Sequence, residues 1–213
     1  MELKPHDIIQ IRGMDELISA QPFPYWVIDS LAKVAFVVVR RAEPFDTCTP
    51  IGIRGYNRGQ RFGAYLSAKH LLNVITPYSL SDTSNWKALY TGSFPLAIKS
   101  LLRIKPILDR SGYNWGPTGS VGFELATGSK VLKDSSDLDL VLDMPNRIGL
   151  KWANELLQAI QGMATIVVDI QLNTPIGGMS MKEYINYDTV LIKTNKGPVL
   201  KKAQSILSLE ACF

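Results

Sequence analysis

Gly119-Ser120 and, after a helix-sized gap, Asp134-Ser135-Ser136-Asp137-Leu138-Asp139-Leu140-Val141 are the stretch on which the reading of this chain turns. Side chains alternate across a strand, so Asp137 and Asp139 leave one face about 6.6 Å apart, while Leu138, Leu140 and Leu142 turn the other way into a core. Two carboxylates on one face repel each other, and a hard divalent cation such as Mg2+ would offset that repulsion. The plain alternative is a solvated strand edge, where an Asp-x-Asp needs no ligand. A second acid-bearing strand changes the balance. In Ala164-Thr-Ile-Val-Val-Asp-Ile-Gln-Leu172, the residues Ile166, Val168, Ile170 and Leu172 share one face and Asp169 faces away. Acids on two neighbouring strands opposite a Gly-Ser turn fit a phosphoryl-transfer site.

Outward from this stretch, Tyr113 to Pro117 fits a short strand running into Gly119-Ser120, and Val121 to Thr127 fits a helix closed by Gly128. Ser120 then lies where a strand hands over to a helix N-terminus, and backbone N–H groups converging there with its hydroxyl make a seat for a phosphate. Downstream, Pro145 ends the acidic strand and Asn146 could cap a helix from Arg147 to Gln161. The Asp169 strand follows. Pro175 to Gly178 reads as a turn, Met179 to Asn186 as one or two helical turns, and Thr189 to Lys193 pairs with Pro198 to Lys201 through Asn195-Lys-Gly197. Upstream, Trp86 to Tyr90 and Phe94 to Leu108 read as helices. The polar run Ser79 to Ser84 is the candidate linker between a first unit, 1–80, and a second, 81–213.

In the first unit, Asp7 to Arg12 is a short apolar segment, Pro22 to Trp26 a rigid aromatic turn, and Val34 to Arg40 and Pro50 to Gly55 are strands. Arg61, Phe62, Leu66, Leu71, Leu72 and Ile75 have partly helical spacing, which predicts a helix within Asn57 to Thr76, stopped by Pro77. The fold class expected is α+β, with a small N-terminal α/β unit ahead of a mixed sheet flanked by helices. Arg40, Arg41, Arg54, Arg58 and Arg61 are interspersed with Gly52, Gly55 and Gly59. Guanidinium forks beside glycines suit a triphosphate; a solvated basic face would look the same.

Composition excludes more than it assigns. The 213 residues are 46% hydrophobic and 20% charged, which is ordinary globular usage and enough for one large domain or two small ones. A net charge of +4 is compatible with a phosphate-rich or acidic partner but too weak to imply nucleic acid. Cys48 and Cys212 offer neither a disulfide framework nor a zinc site, and a reducing interior is expected. The start lacks an apolar signal core, and runs such as Val34 to Val39 are too short to span a bilayer, so a cytoplasmic protein without membrane association is expected. His6 and His70 lie outside any motif, and surface or capping roles are expected of them. Gly128-Ser129-Lys130 lacks the order and gap of a Walker loop, and neither a dinucleotide fingerprint nor a nucleophile elbow occurs.

Gly119-Ser120, Asp137-x-Asp139 and Asp169 together resemble the nucleotidyltransferase superfamily, with its DNA polymerase beta type of catalytic core. A narrower resemblance covers most of the chain. Val37-Val-Val-Arg-Arg41, Gly52-Ile-Arg-Gly55 with Arg58 and Arg61, Gly119-Ser-Val-Gly122, Thr127-Gly128, Asp134 to Leu140, Asp169 and Gly177-Gly-Met-Ser-Met-Lys-Glu183 are similar to the phosphoribosyl-dephospho-CoA transferases, the malonate decarboxylase holo-acyl-carrier-protein synthases.

That resemblance implies transfer of a phosphoribosyl-dephospho-CoA unit from 2'-(5''-triphosphoribosyl)-3'-dephospho-CoA to a serine of the malonate decarboxylase acyl carrier subunit, forming a phosphodiester and releasing pyrophosphate. It implies Mg2+ or Mn2+ held by Asp137, Asp139 and Asp169, with Asp169 also able to accept the serine proton. Gly119 and Ser120 would grip the departing phosphates. Arg54, Arg58, Arg61 and Lys193 would meet the triphosphate or the carrier. Asp134 is expected in a turn, and Glu183 is either a family residue or a local helix feature. Two alternatives stand beside this reading: another nucleotidyltransferase using an ordinary nucleoside triphosphate on a small molecule or protein, and an inactive module that binds nucleotide or carrier.

Overall fold

Ile51 and Ile53 on one strand, and Ala64 and Leu66 on its neighbour, all point inward, and this period-two pattern builds the first of two sheets. The computed structural model describes residues 2–57, 59–84, 86–90, 92–144 and 148–206. The first sheet contains β1 (Ile8–Gln10), β2 (Leu17–Ile18), β3 (Phe36–Val39), β4 (Cys48–Arg54), β5 (Arg61–Ser67) and β6 (Asn73–Ile75) in the order β2-β5-β4-β3-β1-β6, with antiparallel pairing throughout among the described residues. Helix α1 (Tyr25–Lys33) lays Val27 and Leu31 on it. Ile9, Val37, Ile51 and Leu66 are the centre of this core.

The second sheet begins after α2 (Trp86–Leu89) and α3 (Leu96–Asp109). Its strands are β7 (Trp115–Pro117), β8 (Leu138–Asp143), β9 (Val168–Thr174), β10 (Gly177–Ser180), β11 (Thr189–Thr194) and β12 (Gly197–Lys202), and they lie side by side in chain order. The intervening helices are α4 (Gly119–Thr127), α5 (Leu150–Met163) and α6 (Met181–Asn186), and α7 (Ala203–Ile206) follows β12. Only the β8–β9 pair is parallel among these ladders, and α5 makes the crossover that a parallel pair requires. Leu138, Leu140 and Leu142 join Val168, Ile170 and Leu172 in one core with Ile98, Leu101 and Ile104 of α3 and Leu156, Leu157 and Ile160 of α5. The expected α+β architecture, a mixed sheet flanked by helices behind a smaller unit, is what forms. Among the described residues, no helix is long and apolar enough to cross a membrane.

Several expectations are corrected. The stretch 57–76 is not a helix: it holds β5, a 3-10 turn at Ala68–His70 and β6. Phe62, Ala64 and Leu66 alternate toward the core, and that period of two overrides the partial helical spacing of the larger side chains. Pro22 to Trp26 is not simply a turn, because Pro24 is the N-cap of α1 and its fixed φ of −60° leads directly into the helix. Strand β10 begins at Gly177, within the expected turn, and runs through Ser180, so only residues 175–176 reverse the chain and the helix expected from Met179 starts at Met181. Within the candidate linker Ser79 to Ser84, Leu80 rests on the second core and its carbonyl accepts from Trp86 Nε1 at 3.2 Å, while Ser79, Asp82 and Ser84 are exposed. The proposed stop and cap at Pro145, Asn146 and Arg147 lie outside the described residues, as does Cys212.

Candidate active site

Two carboxylates meet where β8 and β9 run parallel: Asp139 and Asp169 are direct register partners, and both project from the face opposite the leucine core. Asp137 lies one residue before β8, following a turn in which Ser136 N donates to Lys133 O at 2.9 Å and Lys133 N to Ser136 Oγ at 3.0 Å. Asp134 sits in that turn, as expected.

The N-terminus of α4 is brought to the same acids by β7. Thr118 N donates to Asp139 O at 2.8 Å, which carries the chain directly from the strand edge into the helix. Gly119 is left-handed, with φ of +58°, and a Cβ there would overlap Asp139 Oδ2 and come within 2.9 Å of its Cγ. Only glycine lets the carboxylate rest against this turn. Thr118 makes no side-chain cap bond. The first N–H groups of α4, at Gly119 and Ser120, have no partner one turn back, and a helix N-terminus favours anions. The geometry therefore sets anion donors beside carboxylates, the pairing that a metal–phosphate complex needs.

Among the described residues, no group of three or more His, Cys, Asp or Glu side chains is gathered closely enough to enclose a metal ion. Asp137, Asp139 and Asp169 do not form a closed cage. Mg2+ is ordinarily held by one or two carboxylates and completed by substrate phosphates and water, and the all-oxygen donors of Asp139 and Asp169 fit that chemistry.

Glu124, buried on α4, holds the approach to the acidic strand. Its Oε2 accepts from Val131 N at 2.7 Å and Leu132 N at 2.8 Å, and its Oε1 accepts from Tyr90 Oη at 3.0 Å. Burial and this carboxylate push the Tyr90 phenol up. Lys130 Nζ lies 3.6 Å from Glu124 Oε1 and 3.8 Å from the Tyr90 ring centre. Sequence reading passed over Glu124; an acid within an otherwise apolar helical face was its only signal.

The first unit reaches the same polar face of the second sheet. Pro77 and Tyr78 cross it at Gly116, where a Cβ would overlap the Pro77 carbonyl and lie 2.8 Å from Tyr78 N. Tyr78 lies beside Asn173 and Asp143, and burial with the nearby Asp143 pushes its phenol up to about 12. Arg41 Nη2 donates to Asn173 Oδ1 at 2.6 Å. Gln171 Nε2 donates to His6 Nε2 at 2.7 Å, which makes the ring the neutral Nδ1–H tautomer. Burial, then the charges of Arg41 and Lys193, lower the His6 pKa to about 4. The turn that presents His6, itself left-handed at φ 79°, is closed by Lys4 N donating to Asp7 Oδ2 at 2.8 Å. His6 is thus not in the surface or capping role expected of it but part of the seam between the sheets.

Arg54 and Arg61 are register partners at the exposed end of the β4–β5 hairpin, and Arg58 lies outside the described residues. Lys193 is exposed on β11 opposite Gly178, which itself pairs with Asn173. The Gly177 to Glu183 motif is explained by packing. A Cβ at Gly177 would lie 2.5 Å from Lys193 O, and one at Gly178 would lie 2.7 Å from both Arg41 Nη2 and Gln171 Nε2. Ser180 caps α6 by accepting from Glu183 N at 3.4 Å, and Glu183 Oε2 accepts from Leu191 N at 3.2 Å.

Two family models match the chain: the phosphoribosyl-dephospho-CoA transferase MdcG N-terminal domain over residues 4–77, and the C-terminal domain over residues 86–204. The chain is similar to the phosphoribosyl-dephospho-CoA transferase of Pseudomonas fluorescens (strain Pf0-1), with 37% identity over 88% of this chain and 87% of that protein. It is also similar to the proteins of the same name from Pseudomonas putida (strain GB-1), 37% identical over 92% of each chain, and Azotobacter vinelandii, 32% identical over 91% and 90%. No solved structure matches.

Proposed function

The chain belongs to the phosphoribosyl-dephospho-CoA transferase family and is a transferase, and from that premise we propose that it moves the phosphoribosyl-dephospho-CoA unit of 2'-(5''-triphosphoribosyl)-3'-dephospho-CoA onto a serine of the malonate decarboxylase acyl carrier subunit. The serine hydroxyl attacks the α-phosphorus in line, a phosphodiester forms, and pyrophosphate leaves, which is nucleotidyl-transfer chemistry. The observation that carries this reading is the register pair Asp139 and Asp169 beside the glycine-opened N-terminus of α4.

Asp139 and Asp169, with Asp137 at the start of the strand, would hold Mg2+ or Mn2+. Such an ion, when bound, supplies charge neutralisation on the phosphates. The chain's own residues do the rest. Backbone N–H groups at Gly119 and Ser120, with the Ser120 hydroxyl, hold the departing pyrophosphate at the positive end of α4. Asp169, the more exposed of the register pair, faces the open side and can accept the proton of the incoming serine. Arg54 and Arg61 present two cations on one hairpin end to the triphosphate or to the carrier. A partner that is a protein in the cell interior, and a CoA-derived donor, agree with a cytoplasmic enzyme.

Intact-mass measurement on apo carrier subunit, incubated with donor, Mg2+ and this chain, tests the reading. A gain equal to the prosthetic group, on a serine, is expected, with the rate falling at least about 100-fold in Asp139→Asn. No gain, or wild-type rates in both Asp139→Asn and Asp169→Asn, overturns it. Incorporation of label from an α-labelled nucleoside triphosphate instead would identify a different nucleotidyl transfer.

A further inference from the structure

The polar face of the second sheet is organised in cross-strand rows. Asp139 and Asp169 form one row; Val141, Gln171 and Ser180 form the next; Asp143, Asn173, Gly178 and Lys193 form the third. Directly paired residues share a face, so Lys193 and Asn173 stand on the same side. The first unit covers the second row through His6 and the third through Arg41 and Tyr78.

The third row holds more positive charge than it uses. Arg41 is half-buried, lies against the Gly178 backbone and gives one donor to the neutral amide of Asn173. Among the described residues no carboxylate pairs with Arg41 or Lys193; Asp143, in the same row, is engaged by Asn173 Nδ2 at 3.3 Å and by Tyr78. A guanidinium has five donors in a planar fork, and its remaining donors suit a phosphate. His6 beside them is neutral, so it adds no competing charge and no repulsion.

We propose that Arg41 and Lys193 form a second anion seat, in the seam between the two sheets, which takes the pyrophosphate of the dephospho-CoA part of the donor. This rests on the donor assigned above and adds to it where the part of the donor that is kept is recognised. Spacing selects that pyrophosphate over the leaving one. Asn173 is four residues beyond Asp169 on β9, so the third row lies about 13 Å along the strand from the acid row. The leaving phosphates are bonded directly to the reacting phosphorus and stay beside the acids. The dephospho-CoA pyrophosphate is separated from it by two ribose rings, a span of the order required. The seat would therefore select a CoA-derived donor over a simple triphosphate, and a bound donor would join both units.

Direct binding by calorimetry, with dephospho-CoA and inorganic pyrophosphate as separate probes, tests the seat without any transfer. Wild-type chain should bind dephospho-CoA, and Arg41→Ala and Lys193→Ala should each weaken it at least tenfold while leaving affinity for pyrophosphate with Mg2+ within twofold. Lys193 is exposed and outside the core, so Lys193→Ala keeps the test sound if Arg41→Ala disturbs the seam. Loss of pyrophosphate affinity in the variants would assign the residues to the leaving group and overturn the proposal. Unchanged dephospho-CoA affinity in Lys193→Ala, or no binding of dephospho-CoA by the wild type, would also overturn it. Carrier modification by the wild type is measured separately, so this seat can fail while the proposed transfer stands.

Discussion

Gly119→Ala replaces a hydrogen with a methyl group at the point where α4 touches the acidic strand. A left-handed backbone costs a non-glycine residue roughly 1–2 kcal/mol, and Gly119 has φ of +58°. The new Cβ would also lie 2.9 Å from Asp139 Cγ, where ordinary contact begins at 3.4 Å, so the carboxylate must retreat by about 0.5 Å at carbon and by more at Oδ2. Misplacement by about 1 Å near reacting atoms can cost on the order of 100-fold in rate, so a 10- to 100-fold fall in turnover is expected. The melting temperature should drop by only about 2–8 °C, from roughly 2–4 °C per kcal/mol at this size. Carrier mass gain gives the rate and a thermal melt gives the stability. Gly128→Ala is the matched control: its φ is +72°, yet the nearest neighbour of its Cβ is Leu89 Cδ2 at 3.6 Å. Equal activity losses in the two variants, or full turnover in Gly119→Ala, would refute a chemical role for the Gly119–Asp139 contact.

Glu124→Ala leaves two backbone N–H groups and a phenol without their acceptor and should lower stability by about 3 kcal/mol in chemical denaturation. Gly116→Ala presses a methyl into the Pro77 backbone, which cannot yield as a flexible side chain does. A loss of about 1–3 kcal/mol and faster proteolysis within residues 79–84 are expected. The His6 pKa is lowered in the folded chain, from 6.5 to about 4, so the unfolded chain binds more protons between those values. Stability should therefore rise as pH increases from 4 to 6.5, and His6→Asn, which tolerates the left-handed backbone, should flatten that rise in melts across this window.

The acid-bearing half of the molecule was legible because its signals are local. Alternating Asp and Leu fixes both the strand and its two faces, Gly128 ends α4 in the left-handed conformation, and Asn195-Lys-Gly197 joins the last two strands as expected. The first unit was read less well, since Gly63 and Ala64 dilute the period-two pattern and left a helix-like residue of larger side chains. The seam was invisible for a different reason. His6 and Gln171 are 165 residues apart, and Arg41 and Asn173 are 132 apart, so no spacing rule connects them. Gly116 and Gly178 gave the only trace: each admits a backbone or guanidinium that arrives from the other unit.

The two margins of the acid-bearing sheet differ in length but share a chemistry. At one, β7 is only Trp115-Gly116-Pro117; at the other, β12 carries Pro198 and the exposed Lys201 and Lys202. Proline removes a ladder donor, and lysines repel a like strand. Uncontrolled strand addition between copies, the first step toward aggregation, is thereby disfavoured at both margins of the sheet.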